Sequence, residues 1–194
     1  MLSEILIQIV AIATAISVHE FGHAFSAHLL GDDTAKDSGR MTLDPIKHVD
    51  LLGLLSMIFF KIGWAKPVPI NSSNFKNYKI GSILVSLAGP LSNVLMAIIC
   101  IFIMKYANLE ALVLIANSTM VYNVFFASFN LLPLPPLDGW GIVSQFIPYK
   151  YNEIVYKYEN MSSIIFLLLI FTGTFSIFVS PISDFLFNIV FLFS

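Results

Sequence analysis

"ISVHEFGHAFSA", residues 16–27, sets two histidines and a glutamate in the middle of an apolar segment that runs from Ile5 to Leu30. An ionisable side chain at the centre of a membrane helix costs about 2.5–3.5 kcal/mol on insertion scales, so such groups are functional by default. On a helix, positions i and i+4 share a face, and His19 and His23 therefore aim their imidazoles at one point. Glu20 lies one residue round, where it reaches a water beside that point. H-E-x-x-H is the spacing of a zinc hydrolase: two imidazoles ligate the metal and the carboxylate takes a proton from the water. Gly22 leaves a gap on the helix surface that another backbone can approach closely.

The rest of the chain supplies the apolar setting. Of 194 residues, 57% are hydrophobic and 11% charged, against roughly 45–50% and about 25% in soluble domains. Three stretches carry no charge at all: 25 residues between Lys79 and Lys105, 27 between Glu110 and Asp138, and 24 between Glu159 and Asp184. Each exceeds the ~20 residues that cross a hydrocarbon core as a helix. With the first segment they predict four spans, at about 5–30, 80–104, 111–132 and within 151–194. A shorter apolar piece at 51–60 reads as re-entrant or partial. Glu4, with no Lys or Arg beside it, argues against a cleaved signal peptide. A net charge of −2 without long runs of either sign excludes nucleic acid as a partner. Cys100 is the single cysteine, which excludes an intrachain disulfide, and its apolar surroundings make it a packing residue.

Seven Lys and Arg residues between the first span and Ile80 orient the chain. The positive-inside rule puts residues 31–79 in the cytoplasm and the N-terminus outside, provided 51–60 does not cross. "DSGRMTLDPIKHVD" (37–50) and "GWAKPVPINSSNF" (63–75) are rich in Gly, Pro, Asp and Asn, and read as short strands and turns over a region of about 37–75. Open strand edges are excluded from lipid, so this region must pack on protein or lie at the interface.

A third zinc ligand has few sources. His28 falls nearly opposite His19 on the helix, and His48 sits in the polar middle region. Asp138 is the better candidate. It ends a charge-free stretch in "FNLLPLPPLDGW" (129–140), with no basic residue nearer than Lys150. An unpaired carboxylate there is expensive, whereas a metal compensates it. The bland reading makes Asp138 a helix cap at the membrane surface. Pro133, Pro135 and Pro136 break any helix ahead of it. "LAGPLSN" (87–93) is a further feature. Gly89 and Pro90 pack or kink a helix, and Asn93, one turn on, carries an amide into apolar surroundings, as does Asn130.

Together, H-E-F-G-H in one span, A-G-P-L-S-N (88–93) in a later one and N-L-L-P-L-P-P-L-D-G (130–139) in a third resemble the site-2 proteases, zinc metalloproteases that cut inside membranes. The resemblance covers about residues 1–150, is nearest to small bacterial members, and leaves no PDZ or CBS module. It implies an all-α polytopic membrane fold: a three-helix catalytic core, additional membrane helices in 151–194, and a short β or extended element between the first two core helices. It implies one zinc ion (Zn2+) per chain on His19, His23 and Asp138, with Glu20 as the catalytic base. It further implies that Asn130 and Asn93 hold the substrate backbone or the developing oxyanion. Transmembrane proteins or signal peptides would be the substrates and the bacterial cytoplasmic membrane the setting. A metal-ion transporter and an inactive homologue that binds membrane proteins are the alternatives. Glu20, directly after His19, favours the hydrolase.

Overall fold

The computed structural model describes residues 2–48, 50, 52, 53, 55 and 65–194, so most of the apolar piece at 51–60 lies outside the described residues. Among them the chain is helical, with no β-sheet. Helix α1 is Leu2–Leu29, followed by the single turns α2 (Thr34–Asp37) and α3 (Pro45–His48). A 3-10 turn at Ser72–Asn74 leads into α4 (Tyr78–Tyr106) and α5 (Glu110–Asn130). Then come α6 (Asp138–Val143), α7 (Asn152–Phe171) and α8 (Phe175–Phe191).

Among the described residues α1, α4 and α5, with 28, 29 and 21 residues, are the three helices long and apolar enough to cross a membrane. At 1.5 Å per residue each exceeds a ~30 Å hydrocarbon core. They pack on one another through small residues. Ala11, Ala15, Ala24 and Ala27 lie on the buried face of α1, Gly22 backs onto Ala88 and Ser92 of α4, and Ala97, Ala116 and Ala127 join the core between α4 and α5. Without a hydrophobic drive between helices in lipid, such close backbone approach is what makes van der Waals packing effective. α8 closes the other side, where Leu186 and Val190 pack beside Cys100, Ile101 and Met120.

Two expectations need correction. The first is the fourth span expected within 151–194: the 24-residue charge-free stretch there does not run through as one helix but is divided between α7 and α8. The chain turns at Gly173 (φ +69°), and Pro181 lies inside α8. A left-handed residue after the last turn is the usual way to end a helix. Thr172 assists by donating its hydroxyl to the Leu168 carbonyl at 2.7 Å. The second correction concerns 37–50, read as short strands and turns, of which the described residues show the turns but no strand. Pro45 instead opens a helical turn, with Asp44 Oδ1 accepting the Ile46 N–H at 3.0 Å. Proline in a first helical position loses no hydrogen bond, and the aspartate satisfies an end amide. The expected β element is not present as a sheet among the described residues. From Lys66 to Ile70 the chain runs without regular structure.

That irregular strap is tied to α1 by a buried carboxylate. Asp32 is fully buried and accepts the Asn71 N–H at 2.7 Å and the Asn74 amide at 2.8 Å. Thr34 adds its backbone N–H and its hydroxyl. Burial pushes the Asp32 carboxyl up, but the hydrogen bonds from Thr34, Asn71 and Asn74 outweigh it and hold the group below its ordinary value. A depressed folded-state value means a contribution to stability that is complete above the unfolded value and lost as pH falls through the folded one. Asp32→Ala should therefore lower stability at neutral pH by roughly 1–3 kcal/mol through its orphaned donors. In thermal melts of the detergent-solubilised protein, the gap from the parent should stay constant above the ordinary carboxylate range and narrow below it.

Candidate metal centre

His19 and His23 lie on the buried face of α1, one turn apart, with ring centroids 4.5 Å from each other and planes at 89°. Their Nε2 atoms are 3.0 Å apart. Asp138, the first residue of α6, brings Oδ2 to 3.1 Å from His19 Nε2 and 3.3 Å from His23 Nε2. The sequence thus places the three ligand candidates on two elements more than a hundred residues apart, and the fold gathers them. Among the described residues this is the one cluster of His, Cys, Asp and Glu able to share a metal ion.

The hydrogen bonds on the far side of each ring say what the near side carries. His23 Nδ1 is 2.7 Å from the Val85 carbonyl, which can only accept, so the proton sits on Nδ1 and Nε2 presents a lone pair. His19 Nδ1 is 2.7 Å from Asn93 Oδ1. Asn93 Nδ2 donates to the Ala15 carbonyl at 2.8 Å, which fixes the amide's orientation and makes Oδ1 an acceptor. His19 is then also an Nδ1–H tautomer. Two lone pairs and a carboxylate oxygen converge, and Asp138 Oδ2 is buried without a hydrogen bond. Such an arrangement repels itself unless a cation lies between the three atoms. Their separations, 3.0–3.3 Å, match the ~3.3 Å edge of a tetrahedron with bonds of ~2.0–2.1 Å, the geometry of zinc on nitrogen and oxygen. The donor set fits a zinc ion.

The remaining sequence candidates divide. Glu20 and Asn130 line the same cavity of about 480 Å³ as the three ligands, with Val68 of the strap on one side and Phe126, Phe129 and Phe166 on another. Glu20 Oε2 accepts the Val68 N–H at 2.7 Å, which steers the carboxylate from outside α1. Asn130 donates one N–H to the Phe126 carbonyl at 2.9 Å, which leaves its other N–H and its carbonyl oxygen outside that bond. Asn93 does not reach it. It is 0% exposed, and its amide is consumed by His19, Ala15 and Asn123. The expectation that it touches substrate therefore gives way to a place behind the ligand. His28 pairs instead with Asp33 at the end of α1, and His48 donates from Nε2 to the Thr42 carbonyl. Both stand away from the centre.

Sequence reading missed three contributors. Ser86 and Phe166 line the cavity without any signal that separates them from packing residues. Asn123 carried one, an amide within a charge-free stretch, in the same way as Asn93. Gly89 proves central: a Cβ there would collide with His23 Nε2 and with Cε1 of both rings. The two imidazoles rest directly against the backbone of α4.

Three apolar helices and a His-His-Asp group at their crossing define a membrane protein with a metal-ligand centre of the kind that zinc hydrolases use. No protein-family model matches the chain, and no solved structure does. Curated relatives do. "Putative zinc metalloprotease YwhC" of Bacillus subtilis is 36% identical over 174 residues, covering 84% of this chain and 80% of that protein. "Putative zinc metalloprotease Rip2" of Mycolicibacterium smegmatis is 31% identical over 140 residues, 66% of this chain and 52% of its own length. Its namesake in Mycobacterium tuberculosis strain H37Rv is 27% identical over 171 residues, 81% of this chain and 63% of that one. The chain thus spans most of YwhC but between half and two thirds of the Rip2 proteins. It belongs to the site-2 protease family of zinc metalloproteases.

Gly89→Ala should leave the helical protein intact while displacing both imidazoles. The expected result is a loss of zinc affinity of at least 10-fold, of the order seen when ligand orientation is disturbed, measured by chelator competition on the purified protein.

Proposed function

We propose that the protein is an intramembrane zinc endopeptidase, which hydrolyses peptide bonds within or near the transmembrane segments of other membrane proteins, with signal peptides among the possible substrates. The observation that carries this reading is the convergence of His19, His23 and Asp138 beside Glu20 on one cavity wall. The names of the relatives support a zinc metalloprotease, and the three spans support a site at membrane depth.

His19, His23 and Asp138 would hold one zinc per chain, which would supply Lewis-acid chemistry for a peptide carbonyl and for water. Glu20, oriented by the Val68 amide, takes a proton from the attacking water and delivers it to the leaving nitrogen as the C–N bond breaks. Its position next to a ligand rather than within the ligand group suits this base role. Asn130 offers an amide N–H and a carbonyl oxygen to the substrate backbone. A helical substrate hides its scissile amide in its own hydrogen bonds and has to unwind before it reacts. The irregular strap at 66–70 borders the cavity with backbone groups that an unwound segment can use. The apolar walls at Phe126, Phe129 and Phe166 suit side chains that come from lipid. The charge distribution supports residues 31–79 on the cytoplasmic side with the N-terminus outside, and water reaching the site from that side.

Glu20→Gln should retain zinc and lose roughly 10²–10⁴-fold in cleavage rate on single-span substrates. Cleavage at the parent rate would remove Glu20 as the base. Asp138→Ala should lose both metal and activity, and metal analysis of the purified variant decides whether Asp138 is a ligand.

A further inference from the structure

Behind His19 lies a buried chain of side-chain amides that the chemistry above does not use. Asn93 Oδ1 accepts from His19 Nδ1 at 2.7 Å. The two protons of Asn93 Nδ2 go to the Ala15 carbonyl and to Asn123 Oδ1, each at 2.8 Å. Asn123 Nδ2 in turn donates to the Thr119 carbonyl at 2.8 Å. Both asparagines are 0% exposed, so neither contacts water or substrate, and every hydrogen bond in the series has one possible direction. The Thr119 carbonyl accepts only, which turns Asn123 Oδ1 towards Asn93. Ala15 and Asn123 then present two acceptors to the same end of Asn93, so that its oxygen faces His19.

We infer that Asn93 and Asn123 are positioning residues that hold His19 in its Nδ1–H tautomer and so keep the Nε2 lone pair free for the metal. The alternative they oppose is visible in the same site. Asp138 Oδ2 lies 3.1 Å from His19 Nε2, a distance at which a proton moved to Nε2 would be bound by the carboxylate. That internal hydrogen bond would close the site by occupying two of its three donor atoms. The amides weight the balance the other way: Nε2–H leaves Asn93 Oδ1, deep in an apolar bundle, without a donor. Reversing the Asn93 amide to compensate would set its oxygen against both the Ala15 carbonyl and Asn123 Oδ1. Asn93, in contact with the ligand, carries the larger share, and Asn123 supports it from one hydrogen bond further out. Partners of this kind beyond a ligating histidine typically account for 10–100-fold in metal affinity. This inference rests on the zinc-site reading above, but its direct readout needs neither metal nor substrate.

The test is nitrogen NMR of the full-length, zinc-free protein in detergent, labelled at histidine and held at a pH where imidazoles are neutral. His23 serves as the internal reference, because its tautomer is held by the Val85 carbonyl. In the parent, both His19 and His23 should be Nδ1–H. Asn93→Leu should move His19 to predominantly Nε2–H and leave His23 unchanged, with zinc affinity in chelator competition falling about 10–100-fold. Asn123→Leu, the milder change, should move His19 part of the way and weaken zinc about 2–10-fold, the worth of one hydrogen bond. An unchanged His19 in Asn93→Leu would overturn the inference. A shift of both histidines together in Asn123→Leu would also overturn it, since that is the mark of a packing residue. If the parent cleaves no membrane substrate while His19 responds as described, the protease reading fails and the amide relay stands.

Discussion

His19, Asn93 and Asn123 come from three helices and hydrogen-bond in series at the centre of the bundle. In an apolar medium a side-chain amide without a partner is costly, so this series restricts how α1, α4 and α5 can be rotated about their axes. Turning α4 by one residue would swing Asn93 away from the imidazole and out of register with Asn123. The same setting puts Gly89, one turn earlier, behind the two rings, where no side chain would fit. Helix packing and ring orientation are thus consequences of one polar contact that lipid would not tolerate in another place.

The third ligand arrives by a different route. After α5 ends at Asn130, Pro133, Pro135 and Pro136 keep the chain from continuing as helix, and α6 restarts at Asp138 with its carboxylate already at the histidines. Side chains of α7 hold this loop from outside. Tyr158 donates its hydroxyl to the Pro133 carbonyl at 2.9 Å, and Trp140 donates to Glu159 at the same distance. The ligand group therefore combines a rigid helix face with a loop braced by the C-terminal part of the chain.

Much of this was legible beforehand. The H-E-x-x-H spacing acts through helical periodicity, which needs only local information, and Asp138 stood out because no countercharge is near it in sequence. Two of the three charge-free stretches carry α4 and α5, whereas the third is divided between α7 and α8, and α1 followed from apolar length despite Glu20. What escaped depends on partners across helices. Asn93 was legible as an unusual amide, but whether it faces the cavity or a neighbouring helix is decided by the rotation of α4. Asn123 is the same case. The break at Gly173 turns on a glycine that takes the left-handed turn, next to Thr172, whose hydroxyl takes up a loose carbonyl; α8 then runs on through Pro181. In the middle region the composition spoke for turns, and Asp44-Pro45 made a helical one.

The site is held by two kinds of restraint that respond differently to change in the sequence. Glu20 and His23 are oriented by the backbone at Val68 and Val85, so apolar side chains of similar size can replace one another at these positions, proline excepted at both, with the orienting hydrogen bonds kept. Both valines also line the cavity. Its shape, and with it the choice of what fits, is thereby free to drift while the arrangement of reacting groups is inherited unchanged. His19 depends in addition on the side chains behind it, so the mutational fragility of the centre falls on two asparagines that never meet the cavity and on Gly89, where any side chain would strike both rings.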